Sequence, residues 1–148
     1  MPPWFADGPA TRGSRGAFLR ESWEMARILL AEDDTTMRTF LAKALERAGH
    51  EVFAVGDGLE ALAAAKAVQF DLLVADVVMP SLDGFQLAAR ARVSHPELQV
   101  MFITGFAAVT LRVQDQELRG SKVLSKPFHL RELVDQVNEV LKQKANAL

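Results

Sequence analysis

Five side chains that can do chemistry each stand at or just after the end of a short apolar run: Glu32, Asp33, Asp76, Thr104 and Lys126. Three carboxylates brought together repel one another and therefore need a cation. Oxygen ligands without cysteine favour a hard ion such as Mg²⁺, which commonly also binds phosphate oxygens. A carboxylate can attack phosphorus, and a hydroxyl and a lysine ammonium suit the oxygens of a phosphoryl group. The residue types therefore predict phosphoryl transfer to a carboxylate, with Asp76 as the acceptor.

The apolar runs before these residues predict the strands that must position them. The runs show no alternation, which is typical of strands covered on both faces of a parallel sheet. We predict five strands, at residues 28–31, 52–55, 70–76, 100–103 and 123–124. Because the carboxyl ends of parallel strands meet at one edge of a sheet, the five side chains should converge there.

Helical patterns separate these strands, as a parallel sheet requires. One helix runs from about Met37 to a stop at Gly49, and another opens at an Asp57 cap and reaches about Val68. Three more helices are predicted. One starts at residue 83 or 84 and ends before Pro96, and the other two span about 110–118 and 130–141. Five strand–helix units predict one α/β sheet with helices on both faces.

Composition limits the function classes further. The 148 residues are 49% apolar and 24% charged, carry a net charge of −2 and include no cysteine. No run approaches the roughly 20 apolar residues of a membrane span, and no basic cluster indicates nucleic acid. We expect a cytoplasmic protein with no membrane association and no direct DNA binding. Residues 1–24, rich in Gly and Pro, are expected to be a flexible extension or the product of a mis-called start upstream of Met25, with one domain over 25–148.

Each candidate residue alone also has an ordinary interpretation. Acid pairs are often solvated loop ends or helix caps, and threonine or Lys-Pro commonly ends a strand. The combination at successive strand ends of one small domain is what favours a site.

Four motifs in this order resemble the response-regulator receiver domain: AEDD at 31–34, DVVMPSLDG at 76–84, ITG at 103–105 and SKPF at 125–128. The resemblance covers residues 26–144 and implies a flavodoxin-like, doubly wound parallel sheet of order 2-1-3-4-5. By resemblance, Asp76 is the phosphoryl acceptor, and Thr104 and Lys126 contact the phosphoryl group.

The same resemblance implies a Mg²⁺ site, a cis peptide bond and one helix cap. The metal ligands would be Glu32, Asp33, Asp76 and the backbone carbonyl of Val78. The bond between Lys126 and Pro127 would be cis, and Asp34 would cap a helix rather than bind metal. Val123 departs from the family, because many receivers carry an aromatic residue there that reads out phosphorylation.

The stretches MARILLAEDD, VMFITGFAAV and KVLSKPFHLREL further resemble the CpdR-type single-domain cell-cycle regulators of alphaproteobacteria. That resemblance implies a histidine kinase or histidine phosphotransfer protein as phosphodonor. It also implies that the unphosphorylated form acts with ClpX, the ClpXP protease and adaptor proteins. Since no DNA-binding or catalytic output follows the last predicted helix, we expect the output to be a surface, with residues 105–109 as one candidate.

Two other functions compete with a phosphorylation switch that is not itself an enzyme. In the first, Asp76 only relays or stores phosphate, and no effector exists. In the second, the chain is a hydrolase with an aspartate nucleophile, of the haloacid dehalogenase type. That chemistry needs an acid two residues after the nucleophile, where this chain has Val78.

Overall fold

The computed structural model describes residues 25–105 and 121–147. Three expectations fall on other residues and lie outside this range: the extension at 1–24, the helix at 110–118 and most of the surface at 105–109. Among the described residues, no helix has the length and apolar character that crossing a membrane requires.

Within residues 25–105 and 121–147, five strands form one parallel sheet. They are β1 (Arg27–Ala31), β2 (Glu51–Val55), β3 (Leu72–Asp76), β4 (Gln99–Thr104) and β5 (Lys122–Ser125). Their order is β2-β1-β3-β4-β5, which confirms the order implied by the resemblance. The predicted start of the third strand at residue 70 was two residues early, because the pairing of β3 with β1 begins at Leu72, opposite Ile28.

Four helices are described: α1 (Thr35–Arg47), α2 (Gly58–Ala67), α3 (Gly84–Ser94) and α4 (Leu130–Ala147). An aspartate caps each of the first three, since the side chains of Asp34, Asp57 and Asp83 accept hydrogen bonds from backbone N–H groups of the first turn. The predicted caps at Asp34 and Asp57 are thus confirmed. Gly49, with φ of 102°, follows α1 as predicted.

The strands bury side chains on both faces of the sheet, as their unbroken apolar runs predict. On one face Leu29, Leu73 and Phe102 belong to an apolar cluster that includes residues of α2 and α3. On the other face Ile28 and Leu30 belong to a cluster that includes residues of α1 and α4. In the described part of the chain, the sheet therefore lies between α2 and α3 on one face and α1 and α4 on the other.

Candidate functional site

Asp76 lies at the carboxyl end of β3, the middle strand of the sheet, and only 6% of it is exposed. Each of its carboxylate oxygens accepts a hydrogen bond. Oδ1 accepts the N–H of Val78 at 3.0 Å, and Oδ2 accepts the ammonium of Lys126 at 2.9 Å. The orientation of the carboxylate is therefore fixed from two sides.

Lys126 follows β5, and its ammonium contacts Asp76 at the end of β3 and Glu32 just after β1. Its Nζ also donates to Glu32 Oε1 at 3.2 Å, so that one ammonium bridges two carboxylates. Burial would lower the pKa of Lys126, but the hydrogen bonds and charges of Asp76 and Glu32 outweigh burial and raise it above its ordinary value. Lys126 therefore remains a cation. The Lys126–Pro127 bond is cis, as the resemblance implies, and the Lys126 N–H donates to the Thr104 carbonyl at 2.7 Å.

Glu32, Asp33 and Asp76 form an acidic cluster. One carboxylate oxygen from each lies within 4.8 Å of the other two, with Glu32 and Asp76 buried and Asp33 exposed. Burial, together with a hydrogen bond to Asp76 and the charge of Asp76, raises the pKa of Glu32 to about 7. Three carboxylates thus face one ammonium. This excess of negative charge on oxygen donors fits a divalent hard cation, which would lower the repulsion between the carboxylates.

Thr104 and Val78 complete the set of predicted residues at this edge. Asp76 on β3 pairs in register with Ile103, and Thr104 follows as the buried last residue of β4, opposite Ser125. The Thr104 position therefore lies between the strand ends that carry Asp76 and Lys126. Val78 is 54% exposed on the loop that follows Asp76.

Sequence reasoning missed Arg38, because the apolar stripe of the first helix predicts this residue on the outer, polar face. Its guanidinium instead turns back over the acidic loop, where Nη1 donates to the Glu32 carbonyl at 2.8 Å and lies 3.5 Å from the Asp33 carbonyl. Gly56 makes room for it, since a Cβ there would lie 2.6 Å from Nη1. The glycine was the one signal in the sequence that could have indicated a close approach.

Comparison with known proteins agrees with this geometry. The family model of the response regulator receiver domain matches residues 28–138. The response regulator receiver protein CpdR of Brucella abortus is 52% identical over 117 residues, which are 79% of this chain and 98% of CpdR.

Two solved structures have the same fold. The receiver domain of the hybrid histidine kinase CckA is 35% identical, with a TM-score of 0.67 over 78% of this chain and 98% of that domain. A CheY-like receiver domain protein from Methanospirillum hungatei is 26% identical, with a TM-score of 0.77 over 84% of this chain and 99% of that protein. The chain belongs to the receiver-domain family of two-component response regulators.

Proposed function

We propose that Asp76 accepts a phosphoryl group from a phosphohistidine in a Mg²⁺-dependent reaction, and that this switches a protein-binding surface. The observation that carries the proposal is the ammonium of Lys126, which lies 2.9 Å from Asp76 and 3.2 Å from Glu32 at the edge where all the predicted residues meet. The ammonium therefore lies where it could offset charge on a phosphoryl group bonded to Asp76.

The transfer forms one bond and breaks one. A carboxylate oxygen of Asp76 bonds to phosphorus, the bond from phosphorus to the donor imidazole breaks, and its electron pair stays on the imidazole nitrogen. Lys126 offsets charge on the phosphoryl oxygens, and the hydroxyl of Thr104 would bind one of them. Glu32, Asp33, Asp76 and the Val78 carbonyl would hold Mg²⁺, which when bound neutralises negative charge on the phosphoryl group.

The proposed output is control of proteolysis by ClpXP. What supports it is the likeness to Brucella CpdR, which extends over 98% of that protein's length. We infer that the unphosphorylated chain binds ClpX, directly or with adaptor proteins, and that a histidine kinase or histidine phosphotransfer protein supplies the phosphate. Phosphorylation adds negative charge at the sheet edge and would disfavour the binding form.

The test compares wild type, Asp76→Asn and the control Asp135→Asn, an exposed aspartate on α4. Each is incubated with acetyl phosphate, with and without Mg²⁺, and examined by mass spectrometry and for ClpX binding. We expect a Mg²⁺-dependent phosphoryl adduct in wild type and control but not in Asp76→Asn. We also expect all three proteins to bind ClpX when unphosphorylated. Acetyl phosphate with Mg²⁺ should abolish this binding in wild type and Asp135→Asn but not in Asp76→Asn.

Two results would contradict parts of the proposal. An adduct on Asp76→Asn would rule out Asp76 as the acceptor. Phosphorylation without ClpX binding in any form would leave the acceptor chemistry intact, reject the proteolytic output and favour the relay or phosphate sink.

A further inference from the structure

The loop between β3 and α3, residues 77–83, contains an unusual turn; we call it the acceptor loop because it follows Asp76. Ser81 has φ of 67°, and the Leu82 N–H donates to the Pro80 carbonyl at 2.8 Å. This is a γ-turn with positive φ at its centre, a rare and strained form for a residue other than glycine. Such a conformation persists only where neighbouring groups hold it.

The groups that hold it belong to the start of α2. The Ser81 hydroxyl donates to Asp57 Oδ2 at 2.9 Å, and Ser81 Oγ lies 3.3 Å from the Leu59 N–H. Asp57 Oδ1 meanwhile accepts the N–H groups of Leu59 at 2.9 Å and Glu60 at 3.0 Å. One carboxylate therefore caps α2 with one oxygen and holds the acceptor loop with the other.

A second contact joins the same two segments. A Cβ on Gly58 would lie 2.0 Å from the backbone oxygen of Leu82 and 2.7 Å from the Leu82 Cβ. Because the nearest of these atoms is main chain, no side-chain rotation could make room for it. Gly58 thus permits the loop to lie directly against the first turn of α2.

At its two ends the acceptor loop is tied to Asp76 and to α3. The Val78 N–H donates to Asp76 Oδ1 at 3.0 Å, and the Gly84 N–H donates to the Val77 carbonyl at 2.9 Å. Between these ends, the hydrogen bond between Ser81 and Asp57 joins the loop to a segment 24 residues away in sequence. A change at that point can therefore reach Val78 through the loop.

We propose that Asp57 and Ser81 are positioning residues for the phosphoryl-acceptor site. Their hydrogen bond, together with the close contact at Gly58, holds the acceptor loop in the conformation in which the Val78 carbonyl can serve as a metal ligand. This inference rests on the proposed function, since it concerns the same Mg²⁺ site, and it adds two residues that touch neither metal nor phosphoryl group.

The test measures Mg²⁺ affinity of the full, unphosphorylated chain by calorimetric titration, beside the free energy of unfolding in urea. Ser81→Gly removes the hydroxyl but adopts positive φ without strain, whereas Ser81→Asn tolerates positive φ and still offers a donor to Asp57. We expect Ser81→Gly to weaken Mg²⁺ binding by about threefold to tenfold, the usual effect of one hydrogen bond. Ser81→Asn should restore affinity to near wild type, and the control Ser94→Ala, an exposed serine at the end of α3, should leave it unchanged.

A double-mutant cycle separates positioning from a general loss of structure. In an Asp57→Ala background, which already lacks the acceptor, Ser81→Gly should cause no further loss of affinity. Gly58→Ala should weaken Mg²⁺ binding independently, because its Cβ must displace the loop. Wild-type Mg²⁺ affinity in both Ser81→Gly and Asp57→Ala would overturn the inference while leaving the proposed function intact. A wild-type protein that binds no Mg²⁺ at all would instead overturn the proposed function, and this inference with it.

Discussion

Glu32→Gln is expected to stabilise the metal-free protein near pH 8, although it removes a candidate functional group. Glu32 is fully buried beside Asp76, and this environment raises its pKa from 4.5 to about 7. A raised carboxyl pKa means that the folded state binds a proton more tightly than the unfolded chain does. Stability is therefore lost as the pH rises from 4.5 to about 7, and above about 7 the ionised form of Glu32 opposes folding in full.

The magnitude follows from the two pKa values. The rise from 4.5 to about 7 corresponds to about 3 kcal/mol of destabilisation above pH 7. Against this, Glu32 oxygens accept hydrogen bonds from Lys126 and from the Asp34 N–H. The pKa of about 7 already includes the opposing effect of these two bonds, so nothing further is subtracted for them. The expected gain in the free energy of unfolding on Glu32→Gln is about 3 kcal/mol at pH 8.

The difference in unfolding free energy between Glu32→Gln and wild type should also change with pH. As the pH falls from 7 towards 4.5, Glu32 takes up a proton in the folded protein before it does so in the unfolded chain. Wild type should therefore gain stability relative to Glu32→Gln across this window, and the advantage of the variant should disappear at its lower end.

The assay is urea unfolding in EDTA at several pH values between 5 and 8, with Glu46→Gln, an exposed site on α1, as the control. The control should differ from wild type by less than about 0.5 kcal/mol at every pH. Adding Mg²⁺ should stabilise wild type and narrow the gap to Glu32→Gln. A difference between Glu32→Gln and wild type that does not change with pH would refute the argument that burial and Asp76 oppose ionisation of Glu32.

Three further outcomes follow from the described residues. Burial lowers the pKa of His50, so its protonation favours the unfolded chain; stability relative to His50→Gln should fall below about pH 6.5 in urea unfolding. Gly84→Ala would bring a Cβ to 2.5 Å from the Asp76 carbonyl oxygen, so we expect slower phosphorylation by acetyl phosphate and a lower unfolding midpoint. Phe102→Ala, at a fully buried side chain of β4, should cost about 3 to 5 kcal/mol, whereas Val93→Ala, at a side chain that is 82% exposed, should cost less than about 0.5 kcal/mol in the same assay.

The elements that hold the candidate site could be predicted because each depends on local sequence. A strand buried on both faces must be apolar throughout, and the run before Asp76 meets that condition at every position. Asp57 and Asp83 are short acidic side chains placed where the first turn of a helix needs an acceptor. Strand order is different, because spacing alone does not determine it; it came from the resemblance to receivers and was confirmed by the pairing of β1 with both β2 and β3.

The contacts that hold the loops of the site could not be predicted from local sequence, because they join segments that are distant in sequence. Nothing in the residue type of Ser81 indicates positive φ, and nothing in Arg38 indicates that it turns over the acidic loop. What the sequence does contain is a glycine on each side of Asp57. Gly56 makes room for the Arg38 guanidinium, and Gly58 makes room for the acceptor loop. The segment after β2 therefore supports the loops that follow β1 and β3, although it supplies none of the proposed metal ligands. We expect its substitutions to alter the affinity of the site without altering its chemistry.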